Sequence, residues 1–343
     1  MRVGIINVTG YAGAELVRLL YLHPEAQVTS VTGRSAAGKR LPEIFPHLWQ
    51  LDLPIEVELD DVEFAFSALP HAASAPAVAT LVEGGLPVVD ISADFRLRDA
   101  ADYEAWYNVA HPAPHLLGEA AYGLTELNRD AVRRARLVAN PGCYPTGALL
   151  ALAPAVKAGI IGLDIVVDAK SGVSGAGRSL GLAYHYPEAN ESVAAYGLDG
   201  HRHLPEMTQE LKALCNGVTP RLTFIPHLIP MTRGILTTCY ADLLPGRLAV
   251  GDGAGGEVQE LYREFYRQEP FVRVAAEPPQ TKHTWGNNLC LVYPTVDTRA
   301  GRLVVVSCLD NLVKGAAGQA VQNMNAMLGL PEAMGLDQPA VYP

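Results

Sequence analysis

Cys143 stands in the run Asn140-Pro-Gly-Cys143-Tyr-Pro-Thr-Gly147, between a strand-like Leu-Val-Ala and the apolar helical stretch ALLALAPAVKAG. That spacing predicts a thiol at a helix start, with Pro145 suited to the first turn. Free N–H groups and the helix dipole lower the pKa of a thiol in such a place, which makes Cys143 a candidate nucleophile. The commoner fate of a cysteine is a buried, inert filler, but flanking glycine and proline argue for an exposed turn. A nucleophilic thiol needs a proton-transfer partner, and the chain offers ten histidines. The most suggestive cluster is Gly200-His201-Arg202-His203-Leu-Pro-Glu206, just ahead of the helical MTQELKALC. An imidazole near a helix start tends to stay neutral, as a base should. Two histidines at i, i+2 also have a metal-ligand spacing, yet no closely spaced Cys, His, Asp or Glu set completes such a site, so no metal is expected.

Two arginines follow strand-like runs: Arg96 in Ser92-Ala-Asp-Phe-Arg96, and Arg178 after the small-residue turn Ser171-Gly-Val-Ser-Gly-Ala-Gly. Small residues admit close backbone approach, and each arginine offers a fork of donors for a phosphate or carboxylate, so an anionic substrate is implied. Near the start of the chain, the strand-like RVGII leads into Asn7-Val-Thr-Gly10-Tyr-Ala-Gly13 and a helical stretch. This is the context in which a glycine-rich turn and a helix N-terminus receive a dinucleotide pyrophosphate. Asn7 takes the first glycine place, where asparagine tolerates left-handed dihedrals better than most residues. The second strand-like run ends at Thr32-Gly33-Arg34-Ser35, with no acid between Glu25 and Glu43 to meet a ribose 2′-hydroxyl. Arg34 and Ser35 instead suit a 2′-phosphate, which favours NADP over NAD.

Positioning these groups requires a particular set of elements. Short Val- and Ile-rich runs alternate with amphipathic stretches up to about Gly147, a βαβα pattern that predicts a parallel sheet with helices on both faces. Longer strand-like runs then dominate (LDIVVDAK, RLTFIPHLI, GILTTCYADL, NLCLVYPTV, RLVVVSCL), which predicts a second domain with a mixed, largely antiparallel sheet. A helix over 314–328 is expected to return to the first domain. Gly251 to Gly256 reads as a surface loop before a helix over 257–267. The expected division is 1–146, completed by 311–343, and 147–310. Lys plus Arg total 26 against 36 Asp plus Glu, a formal charge of −10, and there is no basic run, so nucleic acid is not expected as a partner. No run approaches the ~20 uninterrupted apolar residues of a membrane helix. The opening strand leaves no room for a signal peptide, so a soluble, cytoplasmic protein is expected. Five cysteines without a C-x-x-C pair exclude a disulfide framework, and Cys239, Cys290 and Cys308 fall in strand-like runs as small core residues.

At these residues the sequence resembles the N-acetyl-gamma-glutamyl-phosphate reductases of arginine biosynthesis, relatives of aspartate-semialdehyde dehydrogenase. The resemblance runs along nearly the whole chain, through TGYAGAELVRLL (9–20), ALPH (68–71), SADFRL (92–97), NPGCYPTG (140–147), SGVSGAGR (171–178), GHRHLPE (200–206) and NLVKGAAGQA (311–320). It implies a Rossmann-type NADP-binding domain, an α+β catalytic and oligomerisation domain, and a homodimer or homotetramer. The implied reaction is reductive dephosphorylation of an acyl phosphate through a thioester on Cys143, with His203 as acid/base and His201, Arg96 and Arg178 on the substrate. Thr9, Gly10, Tyr11, Ala12 and Gly13 would hold the pyrophosphate, Arg34 and Ser35 the 2′-phosphate, and Ser174, Gly175 and Asn311 the nicotinamide side. Ser67 and Pro70 complete the implied cofactor contacts. Asn7 and Gly286-Asn-Asn288 depart from the family pattern. An aminoadipyl-phosphate reductase of lysine biosynthesis is the nearest alternative, although that branch lacks NPGCYPT. A catalytically silent NADP-sensing protein is the alternative outside enzymes, and phosphate-dependent reduction of NADP by the aldehyde separates the two classes.

Overall fold

The alternating runs of the first part of the chain form a seven-stranded parallel sheet in the computed structural model, which describes residues 1–248 and 253–343. Its strands are β1 (Arg2–Ile6), β2 (Gln27–Thr32), β3 (Ile55–Glu56), β4 (Phe64–Ser67), β5 (Val88–Asp90), β6 (Ala121–Tyr122) and β7 (Leu137–Ala139). They lie in the order β3-β2-β1-β4-β5-β7-β6. Helices α1 (Tyr11–Tyr21), α2 (Leu41–Ile44), α3 (Ser74–Glu83), α4 (Ala100–Tyr107) and α5 (Thr125–Arg134) lie between the strands in the chain. Val3, Ile5, Phe64, Phe66, Val88 and Val89 are fully buried, as expected of a parallel sheet covered on both faces. The strand order, not the strand direction, reverses beside β1, which pairs with β2 on one side and β4 on the other. In such sheets ligands bind beyond the carboxyl ends of the strands at that point.

The second sheet is mixed. Its strands are β8 (Ile161–Gly172), β9 (Ala194–Ala195), β10 (Arg221–Ile229), β11 (Ile235–Leu243), β12 (Val272–Val274), β13 (Cys290–Asp297) and β14 (Arg302–Leu309), in the order β12-β13-β14-β11-β8-β10-β9. β10 runs parallel to β8 and β12 to β13, while the other neighbours are antiparallel. Alternation along β8 buries Ile165, Val167 and Ala169 and leaves Val166, Asp168 and Lys170 half-buried on the opposite face. Helix α6 (Cys143–Lys157) is buried from Tyr144 to Val156, because it is apolar on every side. The Ser307 hydroxyl donates to Gly147 O at 3.0 Å, tying this helix to β14. A Cβ at Gly147 would lie 3.3 Å from the Ser307 and Thr237 hydroxyls, so glycine admits the close approach. Helices α7 (Tyr186–Ala189), α8 (Leu204–Leu214) and α9 (Gly253–Phe265) complete the unit. The last helix, α10 (Gly318–Met327), belongs with the first sheet.

The fold class is the expected one, and the boundaries differ in three places. The units are Met1–Gly142 with Ala316–Gln338, and Cys143–Gly315 with Pro339–Pro343. Residues 143–146 therefore belong to the second unit, because they open the buried helix α6. The segment 311–315 also stays there, entering a π-turn over Val313–Ala317, and Val341 N–H returns to donate to Trp285 O at 2.9 Å. Gly253 to Gly256 form the first turn of α9 rather than a loop, since Ala254, Val258 and Tyr262 bury one face of that helix. Gly251 and Asp252 lie outside the described residues.

Candidate active site

In the first unit, the β1–α1 turn places Asn7 at φ 63°, the left-handed conformation for which asparagine suits the first glycine place. The Asn7 side chain donates to Ala68 O at 2.8 Å, and Val8 N–H donates to Thr32 O at 2.8 Å, joining the turn to the ends of β2 and β4. Gly10 is the N-cap of α1. No side chain caps it, and no acid lies in the first turn. The helix therefore presents its N-terminal N–H groups uncapped by any side chain, the arrangement an anion requires. A Cβ at Gly13 would lie 2.7 Å from Asn7 O and Val8 Cα, whereas one at Gly10 would meet only Asn7, at 3.9 Å or beyond. Gly13 thus packs the helix on its turn, and Gly10 faces space. These residues fit a dinucleotide pyrophosphate. A Cβ at Gly33 would lie 2.9 Å from Thr9 Cγ2, so the exposed Arg34 and Ser35 begin directly beside this turn.

Pro70 is exposed after β4, but the Ser67 hydroxyl is fully buried and 2.7 Å from that of Ser74, which donates to Asp90 at 2.6 Å. Ser67 therefore offers a ligand no side chain. Burial pushes the Asp90 carboxyl up to about 6, against donors from Ser74 and Ser92. Helix α3 differs from α1. The Asp94 carboxylate accepts the N–H groups of Ala72 at 2.7 Å and Ala75 at 2.8 Å, closing that N-terminus. Arg96 is buried, and its guanidinium donates to Asn140 O and Ile91 O, both at 2.8 Å.

In the second unit, Cys143 is the first residue of α6 and is half-buried, whereas Cys239, Cys290 and Cys308 are buried. Burial pushes the Cys308 thiol up to about 12. A Cβ at Gly315 would lie 2.8 Å from Cys143 Cβ, so the π-turn brings bare backbone against one flank of the thiol. The Tyr144 ring packs edge-on against His201 and His203, with centroids 5.7 and 5.8 Å away, and the two imidazoles are 4.8 Å apart. The Tyr144 and Tyr196 hydroxyls are 2.9 Å apart. Burial chiefly, with the charge of a Cys143 thiolate adding to it, pushes the Tyr196 phenol up to about 12. Burial pushes His201 down to about 4, with Arg202 adding to the effect. His201 Nδ1 accepts the His203 N–H at 3.1 Å, which leaves the proton of the neutral ring on Nε2. His203 is the N-cap residue of α8. Asn311 is buried, receives Gly234 N–H at 2.7 Å and donates to the Ser174 hydroxyl at 2.9 Å. The exposed Gly175 follows, and Arg178 lies exposed beyond it. Among the described residues no group of three His, Cys, Asp or Glu could hold a metal ion, and no helix is long and apolar enough to cross a membrane.

Sequence reasoning did not single out Asp94, Tyr144 or Tyr196. Tyr144 adjoins the cysteine, a signal that could have found it, whereas Tyr196 is 52 residues away and joins it only through β9 and β10. A thiol at a helix start, two imidazoles and a hydrogen-bonded phenol pair suit acyl transfer, and the first unit suits a dinucleotide.

Two family descriptions match along the chain: the semialdehyde dehydrogenase NAD binding domain over residues 2–135 and the semialdehyde dehydrogenase dimerisation domain over residues 143–311. An aspartate semialdehyde dehydrogenase from Vibrio cholerae superposes with a TM-score of 0.71 at 20% identity, covering 96% of this chain and 98% of that one. The Candida albicans aspartate semialdehyde dehydrogenase, solved with NADP, gives 0.67 at 17% identity with the same coverage. The class is thus that of the semialdehyde dehydrogenases. N-acetyl-gamma-glutamyl-phosphate reductases from Dehalococcoides mccartyi and Heliobacterium modesticaldum are 56% and 49% identical, covering 100% of this chain and 99% and 100% of theirs. The chain belongs to the N-acetyl-gamma-glutamyl-phosphate reductase family, oxidoreductases of arginine biosynthesis.

Proposed function

We propose that the chain reduces N-acetyl-gamma-glutamyl phosphate to N-acetylglutamate 5-semialdehyde with NADPH, releasing inorganic phosphate. What supports this reading is Cys143 at the head of α6, beside a tyrosine on which a neutral His201 and the cap residue His203 both pack. The Cys143 thiolate attacks the acyl carbon, the carbon–oxygen bond to phosphate breaks, and a thioester remains on the sulfur. NADPH, when bound, supplies the hydride that reduces this thioester carbon. His203 then manages the proton on the former carbonyl oxygen as the carbon–sulfur bond breaks, releasing the aldehyde and restoring the thiolate. His201 donates from Nε2 to the substrate, and Arg96 and Arg178 hold its anionic groups. Thr9, Gly10, Tyr11, Ala12 and Gly13 hold the pyrophosphate, and Arg34 and Ser35 the 2′-phosphate. Pro70, the backbone of Ser67, and Ser174, Gly175 and Asn311 line the rest of the cofactor. In this reading the unit of residues 1–142 and 316–338 serves NADP, while the unit that opens at Cys143 serves catalysis and association.

The same reading makes the protein a cytoplasmic homodimer or homotetramer. In its support, the second face of the mixed sheet carries Val166, Tyr240, Val304, Val306 and Tyr293, all only half-buried. An apolar sheet face left so exposed suits association. The deciding assay runs in reverse. N-acetylglutamate semialdehyde, phosphate and NADP should yield NADPH, while omission of phosphate, or the aminoadipate or aspartate semialdehyde, should not. Equal rates with the other aldehydes would discard the substrate assignment.

A further inference from the structure

The connection between β10 and β11, residues 230–234, carries Arg233, and several parts of the second unit lock its backbone. The N–H groups of Gly172, Val173 and Ser174 donate to Gly234 O, Met231 O and Thr232 O at 3.0, 2.9 and 3.1 Å. A Cβ at Gly172 would lie 2.8 Å from Met231 O, so the small-residue turn rests directly on this connection. Asn311 accepts the Gly234 N–H at 2.7 Å, and the Trp285 indole donates to Arg233 O at 3.1 Å. The Arg233 side chain reaches Asp310, which is fully buried, with Nη1 3.4 Å from Oδ2. The same carboxylate accepts the Gly286 and Leu312 N–H groups, both at 2.8 Å, and that of Val313 at 3.3 Å. Three backbone donors thus satisfy it, and its contact with Arg233 is longer than the ~2.7–2.9 Å of a charged hydrogen bond. Asp310 steers the arginine without sealing it, since 28% of the Arg233 side chain stays exposed.

Asp310 also ties Arg233 to the thiol. Its backbone carbonyl accepts the Gly315 N–H at 2.9 Å, and Gly315 is the residue packed on Cys143. The chain neighbours of the arginine, Thr232 and Gly234, bond to Ser174 and Asn311, which the reading above sets against the nicotinamide. Arg233 is therefore tied at once to the hydride side and to the sulfur side of the reacting carbon. The group attached to that carbon is the phosphate, and the substrate carboxylate lies at the far end of the molecule. We propose that Arg233 is a phosphate-binding residue of this site, adding its fork to the two arginines assigned above. It donates to the phosphate of the acyl phosphate and bears the charge that grows there as the carbon–oxygen bond breaks. In reverse, it holds inorganic phosphate for attack on the thioester. With its backbone locked and Asp310 beside it, the guanidinium loses little freedom when the anion arrives. The proposal rests on the reaction read above, so its test keeps the two apart.

Arg233→Ala and Arg233→Lys, made in the full chain, are assayed in reverse with N-acetylglutamate semialdehyde, inorganic phosphate and NADP, each varied in turn. Arg233→Ala should raise the KM for phosphate by about ten- to a hundredfold, the worth of a lost charged hydrogen bond, and leave those for aldehyde and NADP within about twofold. Arg233→Lys keeps the charge and loses the fork, so its phosphate KM should fall between the two, and it serves if the alanine variant does not fold. A second measurement needs no turnover: inorganic phosphate should slow alkylation of Cys143 by iodoacetamide in the wild type, and the concentration that protects should rise in each variant by the same factor as its KM. A folded variant with a wild-type phosphate constant overturns the proposal, as does absence of protection in the wild type. A rise in the aldehyde KM as large as that for phosphate also overturns it, because the guanidinium would then hold the carboxylate. A wild type that protects its thiol with phosphate yet makes no NADPH would strike the reaction and leave the phosphate site standing.

Discussion

Asp94 and Ala72 are joined by a 2.7 Å hydrogen bond from the Ala72 N–H to the Asp94 carboxylate, at a residue held at φ 63°. The same carboxylate accepts Ala75 N–H and the Tyr103 hydroxyl, both at 2.8 Å. A left-handed alanine costs roughly 1–2 kcal/mol, so these bonds keep segment 68–73, with Pro70, in its shape. Asp94→Ala should cost about 1–3 kcal/mol of stability and raise the KM for NADPH more than that for the acyl phosphate. Urea unfolding and kinetics with each substrate varied check this, and equal rises in both constants would show a general structural loss.

Cys143→Ser should lower turnover by orders of magnitude with NADPH binding intact, because serine is a far weaker nucleophile at neutral pH. Cys290→Ser, in the core, should change stability rather than chemistry. Fluorescence titration of NADPH beside turnover distinguishes the two cases, and near-normal activity in Cys143→Ser would remove the thioester from the mechanism.

Arg34→Ala should erode the preference for NADPH over NADH by roughly ten- to a hundredfold, the worth of a charged hydrogen bond of ~1.5–3 kcal/mol. The measurement is the ratio of kcat/KM for the two cofactors. An unchanged ratio would place the 2′-phosphate elsewhere.

Burial keeps His201 neutral down to about pH 4, so it contributes no ionisation to a pH–rate profile between pH 5 and 9. A limb near neutrality should therefore come from a group other than His201. His203→Asn should lower turnover by ~10²- to 10⁴-fold and remove that limb. His201→Asn should keep the limb and mainly raise the substrate KM. If instead His201→Asn removes the limb, the two roles must be exchanged.

Asp90 has its pKa raised from 3.8 to about 6 by burial, so the folded state favours the protonated acid. Its contribution to stability is fully present below about pH 4 and is lost as pH rises toward 6. Asp90→Asn removes that loss. The stability of the variant relative to wild type should climb by up to about 3 kcal/mol between pH 4 and pH 7, read by chemical unfolding at each pH. A flat difference would show that the carboxyl titrates normally.

Much of this was legible because the chain marks it with special residue types. Asn7 and Gly13 reveal a turn that needs a left-handed residue and a missing Cβ, and glycine and proline around Cys143 mark a strand-to-helix turn. Period-two alternation in β8 is visible in the residue types alone. Other features depend on what the elements pack against. The glycines at the start of α9 read as a loop by propensity, and only burial of Ala254, Val258 and Tyr262 makes them helical. The closing of α3 by Asp94 and the pairing of Tyr144 with Tyr196 join residues far apart in sequence, which no local pattern encodes.

The close approach of Gly315 to Cys143 ties the place of the cysteine to the absence of a side chain opposite it. A methyl group at position 315 would fall 2.8 Å from Cys143 Cβ, so either the π-turn or the head of α6 would have to shift. Such a change would displace the cysteine without altering a single charge or proton donor around it.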